Sequence, residues 1–255
     1  MHFAASAYVG DSMRDPAAYY RNNLQTTLAL LAAMRETEVT ALLFSSSCSV
    51  YGNPVRLPVD EAHPTGPLSP YGQTKLDCEN ALRWYGHAYG IRWRALRYFN
   101  AAGADPEGLL GEAHEPETRL VPRAVLAAMG AAPPLEVFGR DYPTPDGTAI
   151  RDYVHVTDLA EAHVLAMRSL LAGASCGVLN LGTGRGFSVL EVIQQVEGAS
   201  GRNVPFEWKP RRHGDPCEVV ADARQAHESL GWQPRFSSLE SIVESAWRWH
   251  RSRAA

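Results

Sequence analysis

The chain has 255 residues, 45% of them hydrophobic, enough to bury a sizeable core in one domain or two small ones. Charged residues make up 20% and the net charge is −4 with the signs mixed, so neither a nucleic-acid partner nor a membrane surface is expected. No run of about 18 apolar residues is present to cross a bilayer, and the opening residues lack the positive and long apolar regions of a signal peptide.

In chain order, His2-Phe3-Ala4-Ala5 reads as the end of a buried strand, with a loop running on through Asp15-Pro16. Leu24, Leu28, Leu31 and Met34 recur at helical spacing and predict a helix over 17–36. Ala41-Leu42-Leu43-Phe44 is the short continuous apolar run of a strand covered on both faces. It ends in Ser45-Ser46-Ser47, and a Pro/Gly-rich loop follows from Gly52 to Pro70. A helix over Tyr71 to Tyr89 and a strand over Trp93 to Phe99 complete a βαβ order, which implies a parallel sheet. Glycines and prolines break up residues 100–117. Beyond them helices are expected near 118–129, 157–171, 188–198 and 238–250, and strands near 135–139, 178–181, 205–208 and 218–221. Residues 1–100 thus read as a sheet domain and 101–255 mainly as a smaller α/β cap, with segments near 135–181 as candidates to return to the sheet.

Cys48, Cys78, Cys176 and Cys217 show no CxxC spacing, and the nine histidines form no HxH or HxxxH pair. That pattern predicts reduced, packed thiols in a cytoplasmic protein and no metal.

The chemical signal lies in Tyr71-Gly72-Gln73-Thr74-Lys75. A tyrosine and a lysine four apart share one helix face, so the ammonium can approach the phenol and favour its phenolate, a base able to take a proton from a sugar hydroxyl. Ser45-Ser46-Ser47 ends the preceding strand, where doubly wound sheets place their sites. A strand-end serine followed by a YxxxK helix is the layout of short-chain dehydrogenase/reductase enzymes. Phe44-Ser45-Ser46-Ser47-Cys48-Ser49-Val50-Tyr51-Gly52, Ser69-Pro70-Tyr71-Gly72, Leu96-Arg97-Tyr98-Phe99-Asn100 and the run Arg151 to Leu159 resemble the extended branch of that family. The run Phe138 to Thr148, with Asn180-Leu181-Gly182-Thr183-Gly184 and Arg211-Arg212-His213-Gly214-Asp215, is similar to UDP-glucose 4-epimerases.

The resemblance implies an α/β fold: a doubly wound parallel Rossmann-type sheet lacking its first strands, with a smaller interleaved α/β substrate-binding cap. It implies NAD-dependent 4-epimerisation of a UDP-hexose through a 4-keto intermediate. Tyr71 would be the base and acid, Lys75 would lower its pKa and hold the nicotinamide ribose, and Ser47 would bind the sugar 4-hydroxyl. Phe3, Ala4, Asn23 and Phe99 would line the cofactor site. Asn100 and Arg151 would meet the UDP diphosphate, Arg212 and Asp215 the diphosphate and nucleotide ribose, and Glu136, Val137 and Phe138 the uracil. Arg119 stands where the family more often has Asn or His, in a place where an arginine can still serve a diphosphate. Val219 falls near the position that gates an N-acetyl group. Gly182-Thr183-Gly184-Arg185-Gly186 is not GxGxxG and is expected as a structural turn. A 4,6-dehydratase is disfavoured because Ser47 is followed by Cys48-Ser49 and not by a carboxylate. The alternatives kept are a 4-epimerase of another UDP-sugar (a UDP-N-acetylhexosamine or UDP-pentose) and an inactive, N-terminally truncated fragment that retains nucleotide-sugar binding. Residues 2–5 correspond to the fourth strand of the family, and the glycine turn for the cofactor diphosphate is not in these 255 residues. The chain by itself is therefore expected to bind NAD weakly and to leave an apolar edge. The resemblance also implies a homodimer for a complete member, with Leu28 and Leu82 as candidates for either that contact or the core.

Overall fold

The computed structural model describes residues 1–212 and 214–253. In chain order the helices are α1 (Val9–Arg14), α2 (Pro16–Tyr19), α3 (Thr26–Glu36), α4 (Pro70–Tyr89), α5 (Leu120–Met129), α6 (Val156–Leu171), α7 (Val189–Ser200), α8 (Arg224–Leu230) and α9 (Leu239–Arg253). The strands are β1 (Ala41–Ser47), β2 (Arg92–Tyr98), β3 (Asn100–Ala102), β4 (Leu135–Phe138), β5 (Ile150–His155), β6 (Gly177–Leu181), β7 (Gly186–Ser188), β8 (Phe206–Lys209) and β9 (Glu218–Val219). They form two compact units: Met1–Tyr98 with Glu161–Leu181 and Asp222–Trp232, and Phe99–Ala160 with Gly182–Ala221 and Gln233–Ala255. No helix among the described residues is long and apolar enough to cross a membrane.

In the first unit β1, β2 and β6 form a parallel sheet in that order, in register Leu43↔Arg94 and Leu96↔Leu179. The start of the chain contributes less than a buried strand. His2 alone bridges Phe44, donating its N–H to the Leu43 carbonyl and accepting from Ser45, while Phe3 is 55% exposed. Against this sheet lie Leu31 and Met34 of α3 and Cys78 and Leu82 of α4, packed on Leu42, Phe44, Trp93 and Ala95. Leu82 therefore belongs to the core, and Leu28 to the surface.

Two features depart from the periodicity. The expected loop before Asp15 contains α1, six residues too short to show an amphipathic repeat, held by its fully buried Ser12. The expected helix over 17–36 is interrupted by a π-helical stretch, Tyr20–Gln25. There the Asn23 carbonyl accepts from the Thr27 hydroxyl and the Cys78 thiol, and its side-chain amide bonds Ser6 and Thr74. Such stretches trade ladder hydrogen bonds for side-chain ones, and the sequence period does not register the exchange.

The second unit pairs β3 with β5 in parallel, β5 with β7 antiparallel and with β9 in parallel, and β4 with β8 in parallel. Val121 and Val125 of α5, Val192 and Val196 of α7, and Ile242 and Val243 of α9 make its core. β3, β5 and β7 go beyond the expected elements. The two short strands have three residues each, and β5 hides behind Arg151 and Asp152, charges that argue against a strand until their partners are seen.

Those partners explain much of the run Arg151 to Asp158. The fully buried Asp152 carboxylate accepts from the backbone N–H groups of Thr183, Gly184 and Ala221 and from the Thr183 hydroxyl, at 2.8–3.2 Å. A Cβ on Gly182 would lie 2.3 Å from the Ala221 side chain and 2.7 Å from Asp152, so only glycine lets the turn close over this carboxylate. The Thr183 and Gly184 amides are thus spent on an internal anion, in keeping with a structural turn. Asp158 does the same for the backbone N–H groups of Arg235 and Phe236 and the Ser237 hydroxyl.

His155 is held neutral in this unit. Its Nδ1 accepts the Thr157 N–H at 3.1 Å, which leaves the proton on Nε2 to donate to Ser245 Oγ at 3.0 Å. Burial pushes its pKa below the ordinary 6.5, with Asp158 and Asp105 pulling the other way. The unfolded chain therefore takes up this proton first as pH falls through about 6.5, and the folded state loses stability below that pH. Urea titrations at pH 7.5 and 5.5 should show a loss approaching about 1 kcal/mol per pH unit from His155, and a flatter profile in His155→Gln. Equal pH slopes in the two proteins would remove this assignment.

Candidate functional site

In the first unit Tyr71 and Lys75 stand in the first turns of α4, and Ser47 is the last residue of β1. Helix α4 starts where Ser69 accepts the Gly72 N–H with Pro70 at the first helical position, a strong local start signal. Gly72 lets that first turn press onto β1's exit: a Cβ there would stand 2.6 Å from the Ser49 carbonyl oxygen. Ser47 ends β1, and its hydroxyl accepts the Ser49 N–H at 3.1 Å. Lys75 is 3% exposed; its ammonium donates to the Ser45 carbonyl at 2.7 Å and lies 5.9 Å from the centre of the Tyr71 ring and 4.9 Å from that of Phe44. Burial pushes the Lys75 ammonium down to about 8, with Cys78 and Glu79 holding it up. Tyr71 is half-buried and meets Tyr19 edge-on at 6.5 Å. Phe3 and Ala4, which follow the His2 bridge, are exposed. Asn23 is 2% exposed and its amide is engaged with Ser6 and Thr74, so within this unit it ties the residue 5–8 segment to α4.

Beneath the serines runs a polar network that sequence reasoning missed. Glu79 accepts from Ser46 Oγ at 2.5 Å and from the Arg97 guanidinium at 2.5 and 2.9 Å. Arg97 donates to Tyr51 Oη at 3.0 Å, and Tyr51 donates to Asn180 at 2.7 Å. All five side chains are buried, and burial raises the Tyr51 phenol to about 12. The available signal was the continuation of Tyr71-x-x-x-Lys75 to Glu79, three residues on one helix face.

In the second unit five expected residues form one chain of contacts. The Arg212 guanidinium lies 3.7 Å over the Phe138 ring, Asp215 closes a turn on the Arg212 carbonyl, and Arg151 pairs with Asp215. Arg151 also sits opposite Val219 in the β5–β9 register. Desolvation of the guanidinium lowers the Arg212 pKa, although the residue as a whole is exposed. Asn100 is half-buried on β3 opposite Tyr153, and Phe99 beside it is buried. Val137 departs from expectation: it is 1% exposed within the core, which leaves only its backbone for a ligand, while Glu136 on the same strand is within 4.0 Å of both Arg123 and Lys209. Arg119 donates to Glu112 at 2.8 Å. Glu112, His114 and Glu117 stand together as metal ligands can, yet the oxygen that meets His114 at 2.9 Å is the one Arg119 occupies, so a guanidinium fills the place of a cation. His213 lies outside the described residues.

A phenol, an ammonium and a hydroxyl at the carboxyl end of a parallel sheet are the equipment of the short-chain dehydrogenase/reductase class. The chain belongs to the NAD dependent epimerase/dehydratase family, whose model matches residues 1–182. It is 49% identical over 253 residues to the UDP-glucose 4-epimerase of Rhizobium meliloti (strain 1021), covering 99% of this chain and 77% of that protein. Among solved structures it superposes on the Brucella ovis UDP-glucose 4-epimerase in complex with NAD, with a TM-score of 0.94 and 53% identity over 97% of this chain and 76% of that one. It likewise matches the Bifidobacterium longum UDP-glucose 4-epimerase in complex with NAD+ and UDP, with a TM-score of 0.93 and 42% identity over 99% and 76% of the two chains.

Proposed function

We propose that this protein is an NAD-dependent isomerase that interconverts UDP-glucose and UDP-galactose at C4, with its acid–base chemistry on Tyr71, Lys75 and Ser47. The observation that carries the reading is Lys75, a buried ammonium placed between the Ser45 carbonyl and the Tyr71 ring. The relatives named above support the substrate class and the cofactor.

The donor set fits the nicotinamide half of NAD. Lys75 and Ser47 offer a cation and a hydroxyl beside Tyr71, Phe3 and Ala4 leave the sheet at the same end, and Asn23 sits behind them; Phe99 is assigned to the same ligand. NAD, when bound, supplies a hydride acceptor that returns the hydride to the sugar. Tyr71 takes the proton of the sugar 4-hydroxyl and gives it back, Lys75 favours the phenolate through its charge, and Ser47 holds the sugar oxygen. In the second unit Asn100 and Arg151 bind the diphosphate, Arg212 and Asp215 the diphosphate and ribose, Arg119 assists at the diphosphate, and the Glu136–Phe138 strand serves the uracil. Arginine suits this duty because its planar fork gives paired hydrogen bonds. The test is the purified protein with saturating NAD and UDP-galactose, followed by proton NMR. UDP-glucose should accumulate to a fixed ratio, and an unchanged spectrum overturns the reading.

Val219 favours one extension. It is buried and small, near the position that the resemblance associates with N-acetyl selection, so UDP-N-acetylgalactosamine should also be converted, at a lower rate. Full UDP-galactose activity beside none on the N-acetyl sugar would remove this. We also read the protein as a cytoplasmic homodimer. Leu28, Trp84 and Tyr89 on α3 and α4 are exposed apolar residues of the kind a partner covers. Sedimentation at micromolar concentration should give twice the chain mass, and a monomer counts against it.

A further inference from the structure

Glu79 stands one helical turn beyond Lys75 and is 4% exposed, a place where a carboxylate is costly unless it has work to do. One of its oxygens accepts from Ser46 Oγ and Arg97 Nε, the other from Arg97 Nη2. Ser46 lies between Ser45, whose carbonyl receives Lys75, and Ser47. Helix α4 is therefore fastened to the end of β1 by two adjacent links, one from Lys75 and one from Glu79, and Arg97 fastens the same carboxylate to β2.

We propose that Glu79, held by Arg97, is a positioning residue for the reaction: it sets α4 against the serine end of β1 and supplies the buried negative charge that keeps Lys75 an ammonium. Its kinetic consequence rests on the epimerase reading; its electrostatic consequence does not. The groups facing Lys75 are few. Its own helix presents Tyr71, Cys78 and Glu79, β1 presents the Ser45 carbonyl and the Phe44 ring, and the start of the chain presents His2. Cys78 is buried, and its thiol is raised by that burial. His2 is kept neutral by burial and by Lys75 itself. Among the described residues that face Lys75, Glu79 is thus the one carboxylate, and Tyr71 is the phenol on the same helix face.

The chain makes the test simple, because Lys75 and Lys209 are its two lysines. Lys209 lies in the other unit, on Glu207 at 3.0 Å, with its pKa raised, and serves as an internal reference. Protein carrying 13Cε-lysine would be titrated by NMR as wild type, as Glu79→Met/Arg97→Met and as Glu79→Gln. The double variant removes the buried pair together, an exchange that folds tolerate far better than the loss of one partner. Glu79→Gln keeps the shape and a hydrogen-bonding oxygen, so either variant suffices if the other does not fold. The Lys75 midpoint should fall from about 8 by about one pH unit while Lys209 does not move. The alkaline limb of kcat should move by the same amount, kcat at pH 8 should fall about fivefold, and KM should hold. A purely structural Glu79 would leave the Lys75 midpoint in place, and that result overturns the proposal. If the midpoint moves in a protein that shows no UDP-galactose conversion even as wild type, the functional reading fails and the role of Glu79 toward Lys75 stands.

Discussion

Tyr71→Phe is expected to lower kcat for UDP-galactose about a thousandfold with little change in KM. The phenyl ring keeps the edge contact with Tyr19 and the packing over Lys75, so binding surfaces survive, and only the oxygen that exchanges a proton is removed. Lys75→Met should lose nearly as much, for a different reason. It removes the charge that favours the phenolate and leaves the Ser45 carbonyl without its donor. The two effects separate in a pH series. Residual activity of Lys75→Met should rise towards the intrinsic phenol pKa near 10, whereas Tyr71→Phe should stay flat. Activity within tenfold of wild type for Tyr71→Phe, in protein with an unchanged melting curve, would remove Tyr71 from the chemistry.

Asp152→Ala is expected to cost about 4 kcal/mol of stability. The alanine leaves the N–H groups of Thr183, Gly184 and Ala221 pointing at one another around an apolar methyl, and each such orphan costs about 1–3 kcal/mol. Asp152→Asn restores one acceptor while setting an NH2 against the remaining donors, so about half of the loss should return. Urea unfolding at pH 7.5 measures both. A loss below about 1 kcal/mol in the alanine variant would mean that the turn finds other acceptors, and that Gly182 is required for space alone.

Much of this was legible before any coordinates. Local signals were strongest where they were concentrated: the expected helix from Tyr71 to Tyr89 lies within one residue of α4, and the apolar run after Thr40 has the form of a covered strand. The Tyr71–Lys75 pair followed from helical spacing alone. What escaped was nonlocal. Arg97 and Glu79 are 18 residues apart, and Asp152 meets its donors 31 to 69 residues downstream, so no window of sequence contains both halves of either arrangement. The π-helical turn at Asn23 depends on Thr27, Cys78 and Thr74 together, while its own residues read as ordinary helix. Burial separated what pattern could not: Leu82 from Leu28, and Val137 from its strand neighbours Glu136 and Phe138.

The path of the chain limits how this protein can be assembled or cut. The backbone passes between its two units five times, after residues 98, 160, 181, 221 and 232. β6 follows β2 only after the 78 residues 99–176, and until it is made β2 keeps an open edge. While β6 is still unsynthesised that edge stays uncovered, the situation in which holdase chaperones matter most. Evolution meets the same constraint in another form. No single crossover in the gene exchanges one unit for another, so change in this fold must come through point substitution and loop insertion rather than by shuffling domains.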